Sequence, residues 1–420
     1  MYETETDMER LVLVSASMEE NEDSLDELEM LAETSGAEVV GRLIQKRETA
    51  HPRHYLGKGK LDELKDYIQS TQATGILCDD ELSSSQLKHL DNSLNIKILD
   101  RTMVILDIFA NRAVSAEGKA QVELAQLQYR LSRLSGLGHQ LSRQGGSVGG
   151  AKGLGIGARG PGEKKLETDR RHIQSRISQL KEDLREIQTK RATQREKRVQ
   201  SGIPVIALVG YTNAGKSTLM NAITDANVLA ENKLFATLET TTRTTSLPGG
   251  TPVLFTDTVG FIHKLPHHLI RAFRATLEEL QYATILIHVV DAANPAHLDQ
   301  IAVVHETLNE LHCLDKPMIT ALNKADLFPS ISIGQSNDQS VSISAKSGYN
   351  LPALLDKVES VLQSMRTRYT LLIPYNKGHV VSLLHKHCEV IDESHIEEGT
   401  QIEAYIPTEL CGQMEEYRCG

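Results

Sequence analysis

The chain contains no run of eighteen apolar residues, so nothing in it reads as a membrane-spanning helix. No N-terminal signal peptide is recognisable. The five cysteines, at 78, 313, 388, 411 and 419, are odd in number and include no Cys-x-x-Cys pair. This pattern excludes a disulfide framework, and the expectation is a reduced, cytoplasmic protein. His385, His387 and Cys388 lie close together, but without a second ligand pair they read as a solvated helix end rather than a zinc site. Positive charge is also in deficit. The net charge of −11 argues against nucleic acid as a partner, but the charge is segregated. Residues 1–40 carry thirteen acids and only Arg10, whereas residues 101–200 carry twenty Lys/Arg against ten Asp/Glu. An acidic total therefore hides a basic region able to engage phosphate.

What is present centres on Gly210-Tyr211-Thr212-Asn213-Ala214-Gly215-Lys216-Ser217. This is G-x-x-x-x-G-K-[ST], placed after the apolar run 205–209 and before a helical stretch, 217–224. A glycine-rich turn in that context presents a row of backbone N–H groups to phosphate oxygens. Lys216 is expected to reach the β- and γ-phosphates, and Ser217 to place its hydroxyl on Mg2+, with Thr218 completing the loop. Downstream, the apolar strand from Val253 ends in Asp257-Thr258-Val259-Gly260. There Asp257 would hold the metal through water, and the Gly260 N–H would sense the γ-phosphate.

A third buried strand, 285–291, precedes Asn323-Lys324-Ala325-Asp326, and the strand 341–346 ends in Ser344-Ala345-Lys346. Guanine offers two adjacent donors, N1–H and the 2-amino group, which one carboxylate can accept together. Adenine has no such pair and would leave Asp326 unpaired. Asn323 would hold the loop and touch the base edge, the Lys324 stem would cover the base plane, and the Ala345 N–H would donate to guanine O6. Four motifs in this order and strand context point to GTP and GDP as ligands.

A length of 420 residues implies about two to four domains. Residues 1–110 alternate strands and helices and read as an α/β domain. Residues 111–200 read as two helices, with Ala113, Ala120, Leu124, Leu127, Leu131 and Leu134 on one face of the first. Leu166, Ile173, Ile177, Leu180, Leu184 and Ile187 line the second. Two such stripes joined by a connector suggest an antiparallel hairpin, although ordinary packing against a domain would give either stripe alone. The connector, 145–162, holds nine glycines with Lys152 and Arg159 among them. No strand precedes it, so a dinucleotide fingerprint is excluded. It is either a flexible linker or a basic loop that orders on RNA, and the flanking Arg143, Arg170 and Arg171 favour the loop. Residues 201–366 form the nucleotide-binding α/β domain, including helices over 269–282 and 298–311. Residues 367–420 form a small C-terminal domain of strands and one helix.

At this point the chain resembles the HflX family of bacterial GTPases, in the translation-factor-related class. The resemblance is carried by the phosphate loop, by Leu234-Phe235-Ala236-Thr237-Leu238 and by Asp257-Thr258-Val259-Gly260-Phe261. Outside the nucleotide domain it is carried by residues 55–60, 101–112 and 159–167. Together these cover roughly residues 10–406. The resemblance implies a cytoplasmic GTPase that binds the 50S ribosomal subunit and its rRNA and splits stalled or stress-arrested 70S ribosomes. It also implies that Thr237, in a switch segment running from Phe235 to Glu239, joins Ser217 on the magnesium. Glu239-Thr240-Thr241 stands where the family usually has Asp-Pro-Thr, a departure from the family pattern within that segment.

Some members have an ATP-dependent RNA activity in the N-terminal region, but no second phosphate loop is present to assign one here. Many GTPases place a glutamine after Asp-x-x-Gly to orient water. This chain has Phe261, so slow hydrolysis accelerated by a partner is expected, with Lys216, Thr237 and Gly260 as the catalytic residues. Asn213 sits where some GTPases with such hydrophobic replacements use an asparagine to help bind K+. A monomer without stable membrane insertion is expected. A GTPase switch that binds RNA or a membrane surface without splitting ribosomes is the alternative.

Overall fold

The computed structural model describes residues 8–17, 22–47, 50–144, 161–200, 203–224, 234–264, 269, 278–327 and 340–419. The chain divides into two compact units. The first is Met1–Glu186 with Asn232–Leu238 and His263–Arg274; the second is Ile187–Glu231, Glu239–Ile262 and Ala275–Gly420.

In the first unit, alternating apolar segments give β1 (Arg10–Ser17), α1 (Glu22–Ser35), β2 (Glu38–Lys46), α2 (Lys58–Thr71), β3 (Gly75–Cys78), α3 (Ser84–Leu94) and β4 (Lys97–Asp100). The strands form a parallel sheet in the order β2-β1-β3-β4. Val12, Val14, Ile76 and Cys78 are fully buried, as expected of strands covered by crossover helices. A capping box at Ser83 and Gln86 starts α3. Asp100 caps α4 (Arg101–Arg112) by accepting from the Met103 N–H at 3.0 Å.

Two long helices follow, α5 (Ala116–Gln144) and α6 (Pro161–Gln200). Leu124 packs with Ile177, Leu180 and Leu184, with Ala120, Leu127, Leu131 and Ile173 against them, and Arg176 forks onto Glu123 at 2.7 and 2.8 Å. The paired stripes are the helical hairpin read from the sequence. Ala113 does not belong to its first helix. It lies between α4 and α5 with ψ near 113° and caps the preceding helix. Lys152, Arg159 and most of the glycine-rich connector, and the side chains of Arg143 and Leu166, lie outside the described residues.

The second unit holds β5 (Val205–Gly210), α7 (Lys216–Thr224), β6 (Thr241–Ser246), β7 (Pro252–Asp257), β8 (Ile285–Asp291), β9 (Met318–Asn323) and β10 (Ser340–Ser342). The six-stranded order is β10-β9-β8-β5-β7-β6, parallel except for β6, which runs antiparallel to β7. The edge strand β6 was not read from the sequence. Thr241-Thr242-Arg243-Thr244-Thr245-Ser246 has no apolar alternation, and its order comes from pairing with β7. Of the helix expected over 269–282, a 3-10 turn at Glu278–Tyr282 is seen, and most of the remainder lies outside the described residues. The helices His297–Glu310 and Leu351–Ser364 complete the layers.

The C-terminal region has β11 (Thr367–Ile373), the helix Gly378–His387, β12 (Glu389–Ile396) and β13 (Gly399–Ile406), in the antiparallel order β11-β13-β12. A further helix, Thr408–Met414, closes its core through Leu410 and Met414. Among the described residues, no helix is long and apolar enough to cross a membrane. Nor, among the described residues, does any group of three His, Cys, Asp or Glu come together as a metal site.

Candidate functional site

The phosphate loop leaves the carboxyl end of β5, which lies between β8 and β7, where the chain departs to opposite sides of the sheet. Open α/β sheets bind ligands in such crevices. Gly210 has φ of 151°, and a Cβ there would sit 2.2 Å from the Val289 carbonyl oxygen of β8. Gly215, at φ 97°, would place a Cβ 2.2 Å from the Asn323 amide nitrogen. Only glycine fits either position. Asn213 holds the loop tip in the left-handed region at φ 60°.

The motifs separated in sequence are tied together by side chains. Asn323 donates from Nδ2 to the Ala214 carbonyl at 2.8 Å and accepts the Ala345 N–H at its Oδ1 at 2.9 Å. It thus links the phosphate loop, its own turn and the 344–346 turn. The Ala345 N–H, which the sequence reading aimed at guanine O6, is engaged by Asn323 here, and Asn323 works as a strut between loops. Lys324 sits at φ 65° and reaches Asp291, at the end of β8, at 2.6 Å. Asp291 was read only as part of a strand. Its signal was a lone charge closing an apolar run. Asp326 is exposed, and its carboxyl is held below the usual range, first by a hydrogen bond from Ser344 and then by the charges of Lys346 and Lys324. Ser344 is fully buried and Lys346 exposed.

The Lys216 ammonium donates to the carbonyls of Gly210 at 3.1 Å and Tyr211 at 2.7 Å. Burial lowers its pKa to about 8, against the opposing charge of Asp257. The Ser217 hydroxyl donates to Asp257 Oδ2 at 2.7 Å, and Asp257 is fully buried. A hydroxyl and a carboxylate brought together from α7 and β7 form a hard-oxygen donor set, which fits Mg2+. Thr258 anchors the same turn by donating to the Leu208 carbonyl at 2.7 Å. Thr237, with Phe235, Ala236 and Leu238, belongs to the first unit.

The Asp257–Gly260 segment closes over the loop. Phe261 donates its N–H to the Gly210 carbonyl at 3.1 Å and accepts the Thr212 N–H at 2.8 Å. A Cβ on Gly260 would lie 2.8 Å from Thr212 Cα and 3.0 Å from Lys216 Nζ. Gly260 is therefore the residue that lets this segment touch both the loop and its lysine. The Phe261 side chain is 2% exposed, an apolar group where many GTPases carry a water-orienting glutamine. Beneath the loop, His288 of β8 is buried, and that burial lowers its pKa to about 3, so its ring is neutral at physiological pH.

Comparison with known proteins decides the family. Residues 205–324 match a family model described as 50S ribosome-binding GTPase. Residues 22–110 match the GTP-binding GTPase N-terminal model, and residues 112–198 the GTP-binding GTPase middle region. The GTPase HflX of Lacrimispora saccharolytica is 51% identical over 97% of this chain and 95% of its own length. This chain belongs to the HflX GTPase family. The HflX of Escherichia coli K12 is 37% identical over 94% of this chain and 92% of its own. Among solved structures, a GTP-binding protein from Sulfolobus solfataricus in complex with GDP aligns with 84% of this chain and 98% of its own, at 22% identity and TM-score 0.44. As an HflX GTPase, the chain binds GTP and hydrolyses it to GDP and phosphate.

Proposed function

We propose that this HflX protein uses GTP to engage the 50S ribosomal subunit and its rRNA, and that it splits stalled 70S ribosomes under stress. The observation that carries this reading is Phe261. The residue after Gly260 is buried and apolar, and its backbone is bonded to the phosphate loop. It cannot orient the attacking water, so a partner must supply or order what is missing. A large ribonucleoprotein partner also suits the basic middle region, where Arg170, Arg171, Lys181 and Arg185 are exposed along α6.

In this reading the amides of 210–217 bind the phosphates, and Lys216 neutralises the β- and γ-oxygens. The Gly260 N–H meets the γ-phosphate, and Asp326 with the 344–346 turn selects guanine. Ser217 would hold Mg2+ directly, with Thr237 from the switch segment and Asp257 through water. The metal supplies further neutralisation of charge developing on the phosphate oxygens. Asn213 is a candidate neighbour for K+ as a second fixed cation, tested by exchanging sodium for potassium in the hydrolysis assay. If the rate does not change, Asn213 only shapes the loop. We expect the protein to work as a cytoplasmic monomer.

The deciding experiment is co-sedimentation with purified 50S subunits in GTP, GDP and a non-hydrolysable analogue, with hydrolysis followed in parallel. Binding favoured by the analogue, and stimulation by orders of magnitude, is expected. A fast basal rate indifferent to ribosomes would remove the partner-activated mechanism. Deleting 145–162 should preserve nucleotide binding and abolish subunit splitting. Splitting at the wild-type level would make that segment a linker.

A further inference from the structure

In the N-terminal sheet the order β2-β1-β3-β4 places β1 and β3 side by side, with the chain leaving β1 toward β2 on one flank and continuing through β3 on the other. The carboxyl ends of β1 and β3 therefore form the crevice where a parallel α/β sheet holds its ligand. Asp79 and Asp80 follow β3 directly at that point. Asp79 is fully buried and donates its N–H to the Val14 carbonyl of β1 at 3.0 Å. Its carboxylate accepts the Ser24 hydroxyl at 2.9 and 3.0 Å and Arg101 Nη1 at 2.8 Å. Arg101 also pairs with Glu27. Asp80 accepts the Tyr55 hydroxyl at 3.0 Å.

The group inside this crevice is an ammonium from far along the same chain. Lys264 Nζ lies 2.5 Å from Asp79 Oδ2 and 2.9 Å from Asp80 Oδ1. Burial works against this ammonium, yet the charges of Asp79 and Asp80 hold its pKa above the ordinary lysine value. Lys264 stands four residues after Gly260 and three after Phe261, so at most about 14 Å of extended chain separates it from Gly260 and about 11 Å from Phe261. Its backbone is left-handed, with φ of 52°. A lysine adopts that conformation only where its surroundings impose it.

Phe235, in the other nucleotide-domain segment that groups with the first unit, has φ of 53° and is 3% exposed. Its ring meets Phe109 edge-on, with centroids 4.7 Å apart. Phe109 and Arg101 lie at opposite ends of α4. One helix thus braces Asp79 at its start and receives the switch-segment phenylalanine near its end.

We propose that the Asp79–Asp80 crevice is an ammonium-binding site of the N-terminal sheet whose ligand is Lys264, and that Lys264 is thereby a positioning residue for GTP hydrolysis. It fixes the chain immediately beyond Gly260 and Phe261, so that the Gly260 amide is held where a γ-phosphate can use it. Lys264 touches no phosphate. It acts through the backbone that follows the contact. The inference rests on reading Gly260 as the γ-phosphate contact and needs no ribosome.

The test measures single-turnover GTP hydrolysis and GDP affinity in the full-length protein without ribosomes. Lys264→Met and Asp80→Asn should each slow hydrolysis by about tenfold, and the double variant should be no slower than either alone, as for two halves of one contact. Lys264→Arg should restore most of the rate. GDP affinity should stay within about twofold of wild type, because GDP does not reach Gly260. Asp80→Asn keeps the shape and the Tyr55 bond at a partly exposed position, so the reading does not depend on disturbing buried Asp79. A Lys264→Met rate at or above wild type, additive losses in the double variant, or GDP affinity falling in step with the rate would each overturn the proposal. Ribosome-binding assays, run separately, would report on the wider function whichever way this result falls.

Discussion

Replacing Lys216 by methionine should stabilise the nucleotide-free protein while destroying its capacity to bind GTP. The Lys216 side chain is 6% exposed, and burial lowers its pKa from 10.5 to about 8. The difference, 10.5 − 8, corresponds to about 3 kcal/mol of cost for keeping the ammonium buried at neutral pH. Methionine removes that cost and also removes two hydrogen bonds, to the carbonyls of Gly210 and Tyr211. Neither carbonyl is orphaned, because Gly210 still accepts the Phe261 N–H and Tyr211 the Ala214 N–H. With the lost bonds together worth about 2 kcal/mol, the net gain is on the order of 1 kcal/mol. The sign with pH follows from a folded pKa below the unfolded one. The unfolded chain binds more protons between pH 8 and 10.5, so the wild-type penalty is full below pH 8 and lifts as pH rises to 10.5. Urea unfolding of nucleotide-free wild type and Lys216→Met, near pH 7 and near pH 10, reads both effects, and added GTP should stabilise only the wild type. A variant less stable than wild type near pH 7, or a gap that does not change on going to pH 10, would refute the reasoning.

Asp326→Asn should weaken GTP binding and improve binding of xanthosine triphosphate, whose C2 oxygen accepts where guanine donates; unchanged GTP affinity would separate this turn from base recognition. Gly260→Ala should cost about 1–3 kcal/mol of stability or of GTP-over-GDP preference, because its Cβ meets Thr212 Cα at 2.8 Å. Unfolding and analogue affinity measured together detect either form of that cost, and wild-type values in both would contradict the close approach. Tyr129→Phe removes a hydroxyl that donates to buried Asp100 at 2.6 and 2.7 Å, and should lower stability by about 1–2 kcal/mol in urea unfolding without altering GDP affinity.

Much of the fold was legible because the buried strands are short apolar runs closed by glycine, aspartate or asparagine, as at 205–210 and 318–323. Such runs declare both a strand and the loop at its carboxyl end. The phosphate loop was legible for the same reason, since only glycine fits at 210 and 215. The strand β6 was not, because an edge strand of threonines carries no burial pattern and is ordered by its neighbour. Ala113 fell on the apolar stripe of the following helix by spacing alone, yet the chain turns there after α4. The ties made by Asn323, Asp291 and Asp79 were also hidden. Each joins residues far apart in sequence, and a polar residue after a strand looks the same whether it binds a ligand, another loop or a lysine. The left-handed conformations of Phe235 and Lys264 gave no signal, because left-handed backbone at a non-glycine residue is imposed by tertiary contacts.

The bridge between Tyr211 and Phe261 is made of two discrete backbone hydrogen bonds, Phe261 N–H to Gly210 and Thr212 N–H to Phe261. A chain seated in this way has no intermediate positions. It is latched while both bonds are made, and any slide by a single residue would turn Phe261 from its buried side to the opposite one. Gly260 therefore sits on a detent rather than a spring. A shift of register there must release both bonds, so the geometry favours a step over a graded pull in any message leaving the nucleotide site.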